Sequence, residues 1–240
     1  MKEKLFNLTV ETDVNAIECD LYSAKLIVAQ AEDEIMRVEY PDANNVHVAC
    51  GDGGLIISQR KKPFIKLKNQ VIKIFVPAHT TPSIKLAGKR AECEVQSGIY
   101  SQLEVSVDGG AVSLSDCAFE SVEILGGSVD TRINSSTIRG GLFVQVESGD
   151  VLAENAFAMH MECRVKRGNI GLVRLNCKEC TFEAEKGNIS ATVSGGESQF
   201  NTTLLSKEGT VNRESAQHDD AENSFNAYSA SGNIMLDFVN

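Results

Sequence analysis

The amino-acid sequence predicts an all-β chain, a single-stranded parallel β-helix or β-solenoid with coils of about 20 residues, entered through less regular N-terminal capping coils. The first reason is a turn signature at fixed spacing: Gly149-Asp150-Val151, Gly168-Asn169-Ile170 and Gly187-Asn188-Ile189 stand 19 residues apart. The second is what precedes it. Leu142, Val144 and Val146, then Met161, Cys163 and Val165, then Cys180, Phe182 and Ala184 sit seven, five and three residues before the glycine of each copy. A side-chain period of two, kept in register between copies, describes strands that stack with one face buried, and the longer fixed period describes a solenoid. The third is the series of glycine turns at Gly98, Gly110, Gly127, Gly149, Gly168, Gly187, Gly209 and Gly232. Two residues after these glycines stand Tyr100, Val112, Val129, Val151, Ile170, Ile189, Val211 and Ile234.

From the N-terminus, short alternating runs read as strands: Leu5 to Val10, Ile17 to Leu21, Leu26 to Ala29, Met36 to Tyr40, Val46 to Ala49 and Leu55 to Ile57. Turn residues separate them at Asp13-Val14-Asn15, at 41–45 and at Gly51-Asp52-Gly53-Gly54. No helical period is sustained. Residues 1–59 carry eleven acids against four bases, a net −7. From Arg60 to Arg90 the sign reverses to nine bases and no acid, with strands around Ile65 and Leu67 and from Val71 to Val76, where Pro77 stops the second. Residues 1–90 are therefore read as irregular capping coils and 91–240 as the repeats of one continuous domain.

In each repeat one strand enters the glycine turn and one leaves it, and a second turn of variable length, such as 176–179 or 194–197, closes the coil. Coils stacked in chain order form parallel sheets, and Val122, Val144, Cys163, Phe182 and Leu204, each five residues before its glycine, form one buried column. Handedness is not legible in the repeat. Residues 212–224 lack alternation and read as a polar loop inserted into the last coil. A stack of coils ends in an unpaired strand, which this acidic loop covers or which pairs with the same edge of a second chain as a homodimer.

Composition bounds the function. The net charge of −10 argues against general nucleic-acid binding, and no apolar run approaches the roughly 18 residues of a membrane span. The charged start, Met1 to Asn7, has no apolar segment behind it. Seven cysteines form an odd set without framework spacing, which together with that start leads us to expect a reducing, cytoplasmic setting.

The recurring Ser-Gly-Asp-Val and Gly-Asn-Ile pattern, preceded by the strand end Ile74-Phe75-Val76-Pro77, resembles a bacterial family of β-strand-repeat domains named putative adhesins, over roughly residues 70–240. The resemblance implies a β-solenoid, often among envelope proteins, with a surface-binding role and no catalytic residues to carry over. It makes the cell surface the alternative location.

Motifs of chemistry are few. Cys177-Lys178-Glu179-Cys180 is one short Cys pair, to which Cys163 of the neighbouring coil could add a third ligand, while a closed zinc site takes four. The inward register of Cys180 favours a core role instead. Paired carboxylates with a base repeated in register, a catalytic serine, a phosphate-binding glycine loop and a His-Glu-x-x-His motif are absent from the sequence. The expectation is a non-enzymatic binding or scaffold module without cofactor. Its anionic-ligand patch would be Arg60, Lys61, Lys62, Lys66 and Lys68, and its partner a protein or an anionic glycan or envelope surface. Solvated lysines that neutralise the neighbouring acids are the plainer reading of the same run. A glycan-active enzyme of lyase or hydrolase type, working in an irregular groove between second turns, is the alternative.

Overall fold

The computed structural model describes residues 5–11, 13–42, 45–61 and 70–239. The first part holds β1 (Leu5–Val10), β2 (Ala16–Leu21), β3 (Ala24–Gln30), β4 (Met36–Pro41), β5 (Val46–Gly51), β6 (Gly54–Gln59) and β7 (Gln70–Val76). Then come β8 (Ser83–Asn134), β9 (Thr137–Ser148), β10 (Val151–Glu154), β11 (Phe157–Arg167), β12 (Ile170–Lys186), β13 (Ile189–Ser194), β14 (Phe200–Ser206), β15 (Asn223–Ser231) and β16 (Ile234–Val239). One turn of 3-10 helix, Glu197–Gln199, precedes β14. The strand expected around Ile65 and Leu67 lies outside the described residues.

All of the strands described join one mixed sheet, parallel through the repeats and partly antiparallel in the less regular N-terminal part, where the expected parallel β-helix does not hold throughout. β1 pairs antiparallel with β4, β4 with β7, and β5 with β6. The last pair follows from its turn: Asp52 and Gly53 both take positive φ, at 50° and 76°, and a two-residue turn returns the chain beside itself. β2 pairs parallel with β6 and β3 with β7, and both also lie parallel against β8, from which parallel pairing continues through the repeats. One buried cluster runs from Val10 to Leu236.

The repeat spacing becomes a stack of chain circuits. Val151 lies opposite Ile170, and Ile170 opposite Ile189, so each turn residue meets its counterpart in the next copy of the signature. β8 is a path with corners, not a straight strand. Ser97, Asp116, Ser135, Asn155 and Arg174 all take φ between 48° and 55°, one in each successive circuit, and mark a second corner as regular as the glycine one. Because none of these five is glycine, this corner left no signature of the expected kind. Gly98 belongs to it, not to the glycine column. Gly127 also lies outside that column: Asp150 bonds back to Asp130, and Gly149 stacks on the carbonyl of Val129, so Val129 and not Gly127 holds the glycine position of its coil.

The larger correction concerns order. Coils do not stack in chain order at the C-terminal end. β15 lies between β12 and β14, with Phe182 opposite Ala227 and Ala227 opposite Leu204. β16 lies against β13. The chain thus leaves β13, passes over one coil position at Gly195 to Gln199, lays down β14 at the end of the stack, and returns to fill the gap with β15 and β16. The buried column is Ile124, Val144, Cys163, Phe182, Ala227 and Leu204. Val122 faces Leu142 instead, because the pairing register shifts between Phe119 and Val122.

Candidate functional site

The glycine corner carries a ladder of side-chain bonds that runs along the stack. Asp130 Oδ1 accepts from the Asp150 backbone N–H at 3.0 Å, Asp150 Oδ1 from that of Asn169 at 2.7 Å, and Asn169 Oδ1 from that of Asn188 at 3.0 Å. Asn188 Oδ1 then accepts from the Asn233 backbone at 2.8 Å, and Asn233 Oδ1 from the backbone and hydroxyl of Thr210 at 2.9 and 3.0 Å. Each rung needs an oxygen to hold the next N–H, which an Asp or Asn after the glycine supplies and the Thr after Gly209 does not pass on. The ladder therefore ends at Thr210.

The outward faces are also tied from coil to coil. Arg139 meets Glu120 at 3.2 Å, Lys166 meets Glu147 at 2.5 Å, Arg164 meets Glu183 at 3.6 Å, and His160 Nδ1 lies 2.9 Å from Glu179. The hydrogen bond to Glu147 holds the Lys166 ammonium above its ordinary range. Around these pairs a shallow groove of about 200 Å³ is lined by Glu147, Arg164, Lys166, Glu183, Glu185 and Tyr228. Its charges alternate in sign, which suits stacking of coils more than capture of one kind of ion.

A second cleft, of about 770 Å³, opens where the outgoing connection and the returning segment pass each other, between Gln199 and Gln217, His218, Asp219, Asp220 and Glu222. The His218 backbone donates to Asn201 Oδ1 at 2.8 Å, and its buried Nε2 has no partner among the described residues. Carboxamides and carboxylates on an open wall offer acceptors to hydroxyl or cationic groups. Ser198 also lines this wall, and among the described residues no hydrogen bond joins its hydroxyl to His218.

The residues singled out from sequence separate into groups. Arg60 and Lys61 are exposed, Lys61 placing its ammonium 5.5 Å from the centre of the Tyr22 ring, whereas Lys62, Lys66 and Lys68 lie outside the described residues. Buried carboxamides hold the flanks of this segment: Gln59 donates to Gln70 at 2.6 Å and binds both backbone groups of Ser23, and Asn45 donates to the Arg60 carbonyl at 3.2 Å. Other bases of the run already have acids: Lys73 with Glu39 at 3.8 Å, Lys85 with Glu104 at 3.1 Å, and Lys89 with Asp108 at 4.0 Å.

Cys163, Cys177 and Cys180 do come together, but inside the core. Burial pushes the Cys163 and Cys180 thiols well above their usual range, and Cys177 donates to the Glu179 carbonyl at 3.2 Å. A buried neutral thiol is a poor metal ligand and a poor nucleophile. Among the described residues no group of three His, Cys, Asp or Glu side chains is arranged to hold a metal ion. Cys19, Cys93 and Cys117 are likewise buried, and burial raises Cys93 to about 12 and Cys117 to about 11.

A stack of this kind has relatives, and a family model described as Toastrack DUF4097 matches residues 14–240. The chain belongs to the Toastrack DUF4097 family. Among solved structures this Toastrack chain is similar to a putative adhesin from Bacteroides fragilis, with 15% identity, 98% of this chain and 97% of that one covered, and a TM-score of 0.49. It is similar to a putative cell adhesion protein from Clostridium sporogenes, with 18% identity, 99% and 100% coverage, and a TM-score of 0.38. A putative lipid binding protein from Parabacteroides distasonis matches at 12% identity, 100% and 98% coverage, and a TM-score of 0.42. A search of curated proteins finds no match. Among the described residues no helix is long and apolar enough to cross a membrane, a statement that does not bear on β-barrels.

Proposed function

We propose that this chain is a non-enzymatic binding or scaffold module whose ligand is an anionic polymer or envelope surface. The observation that carries the reading is where its reactive groups lie. Six of the seven cysteines are buried, and several outward acids and bases of successive coils, Arg139 with Glu120, Arg164 with Glu183 and Lys166 with Glu147 among them, are committed to one another. The densest run of bases in the sequence is the segment led by Arg60 and Lys61, whose flanks the carboxamides of Asn45, Gln59 and Gln70 hold, and this run supports an anionic ligand. Residues 1–90 and 91–240 then act as one continuous domain, the first part carrying the basic segment. The buried thiols fit a reducing compartment. An envelope setting, in keeping with the adhesin-like turn motif, is the second reading.

Replacing Lys61, Lys62, Lys66 and Lys68 by Gln tests the patch. Binding to sulfated polysaccharide, or to vesicles rich in anionic lipid, should weaken and lose most of its salt dependence while the melting temperature barely moves. Unchanged binding leaves these lysines as solvated neutralisers. Release of reducing ends from an acidic polysaccharide would replace the binding reading with a glycan-active one.

A further inference from the structure

The gap that β15 and β16 fill has a self-contained wall. On one side, Cys180, Phe182 and Ala184 of β12 face Phe225, Ala227 and Ser229, and Ile189 and Ala191 of β13 face Ile234 and Leu236. On the other, Thr202 and Leu204 of β14 face Phe225 and Ala227, and Val211 bridges to Ile234. The corner is seated by Gly187 N–H on the Ser231 carbonyl at 3.0 Å and by the Asn188 and Thr210 rungs that enclose Asn233. Every one of these contacts joins residues 223–239 to residues 170–212. The link 213–222 itself reaches the coil through the Arg213 guanidinium, 5.0 Å from the centre of the Phe238 ring, a contact that a second copy's Phe238 would equally meet.

That link is held at separate points, one of them the Arg213–Glu197 ion pair at 3.0 Å. It touches the outer strand through the Ala216–Thr202 bridge, the Ser215 hydroxyl beside Leu204 and the His218 N–H on Asn201, and it carries Glu214, Asp219, Asp220 and Glu222 in open positions. The closing coil also follows the whole of its wall in chain order, so the wall can be complete before its plug is made.

We propose that residues 223–239 are an exchangeable donor coil, and that the partner which fits the gap is a second copy of this chain, inserting its own 223–239 while residues 213–222 span between the two molecules. Closed monomer and exchanged dimer then share the same strand pairs and buried columns. They differ in the path of the link and in the entropy of association, so concentration during folding decides between them. Self-insertion is first order and exchange second order. Once formed, either state persists, because release requires breaking strand pairs on both edges of β15 together.

The test uses full-length chains with the exposed Cys50 replaced by Ser. One carries Thr203→Cys and the other Asn226→Cys, positions that face each other across β14 and β15. The two are mixed, unfolded, refolded together at several concentrations and oxidised. The expected result is a disulfide-linked heterodimer whose yield rises in proportion to chain concentration while it remains the minor product, and which is missing when the native proteins are mixed without unfolding. A single chain with both substitutions should close the bond within itself at low concentration. Monomer alone at every concentration overturns the proposal, as do dimers that carry no mixed disulfide. A double variant that stays reduced contradicts the coil order, and the proposal with it.

Discussion

Gly168 shows what one residue must do to keep coils at stacking distance. Its φ is +145°, and a methyl there would overlap the carbonyl of Gly149 one coil away. Ala pays both penalties, so Gly168→Ala should cost on the order of 1 kcal/mol from backbone conformation alone, and more from the overlap. Chemical denaturation of the variant against the parent chain measures this directly, and equal midpoints would mean the corner is not built this way. The thiols give a second residue-scale expectation. Burial holds Cys93 near 12 and Cys117 near 11, so at mildly alkaline pH these side chains stay protonated and shielded. A thiol reagent should modify the six buried cysteines only as the chain unfolds. Fast modification of more than Cys50 in the native protein would show that the core opens. Both features are legible in part. The glycine signature and the inward register of Cys163 and Cys180 are periodic facts of the sequence, whereas the positive φ at Ser97, Asp116, Ser135, Asn155 and Arg174 is imposed by stacking on residues without a common preference for it.

At the scale of elements, the end of the stack is closed by the chain's own loop. Asn212 accepts from Leu236 N–H at 2.9 Å and donates to the Leu236 carbonyl at 3.1 Å, so one side-chain amide stands where a neighbouring strand would bond. Ala216 and Thr202 exchange backbone bonds at 2.8 and 3.2 Å across the edge of β14. The loop of 212–224, one of the two protections expected for this edge, thus lies against it. Its sequence is legible as polar and non-alternating, but not as a partner for the strand, because a bridge of one residue leaves no period. Asn212→Ala should cost about 0.5–1.5 kcal/mol by removing two hydrogen bonds to partly buried backbone groups of β16. Urea unfolding checks the value, and Asn212→Asp, which keeps only the acceptor, should fall between the two.

For the molecule as a whole, the exchange of the last two coils is the feature that periodicity alone did not reveal, although the sequence holds a clue to it. Gly232 is followed by Asn233 and Gly209 by Thr210, and only the former continues a ladder of carboxamide oxygens from Asn188. Packing agrees: Phe182 meets the small Ala227 where chain order would set it against Leu204, and the hydroxyl of the buried Thr202 accepts from the Ala216 N–H at the end of the stack. The candidate patch is legible only as a run of charge, since which bases find acids depends on neighbours such as Glu39, Glu104 and Asp108 that the run does not contain. Native-state hydrogen exchange resolves the coil order most directly. With β15 bonded on both edges, the amides of Phe225, Ala227 and Ser229 should exchange at the slow, global limit even though they lie near the C-terminus, and those of β14 should exchange sooner through local opening. Slow exchange in β14 together with fast exchange in 223–239 would return the coils to chain order and contradict the architecture described above.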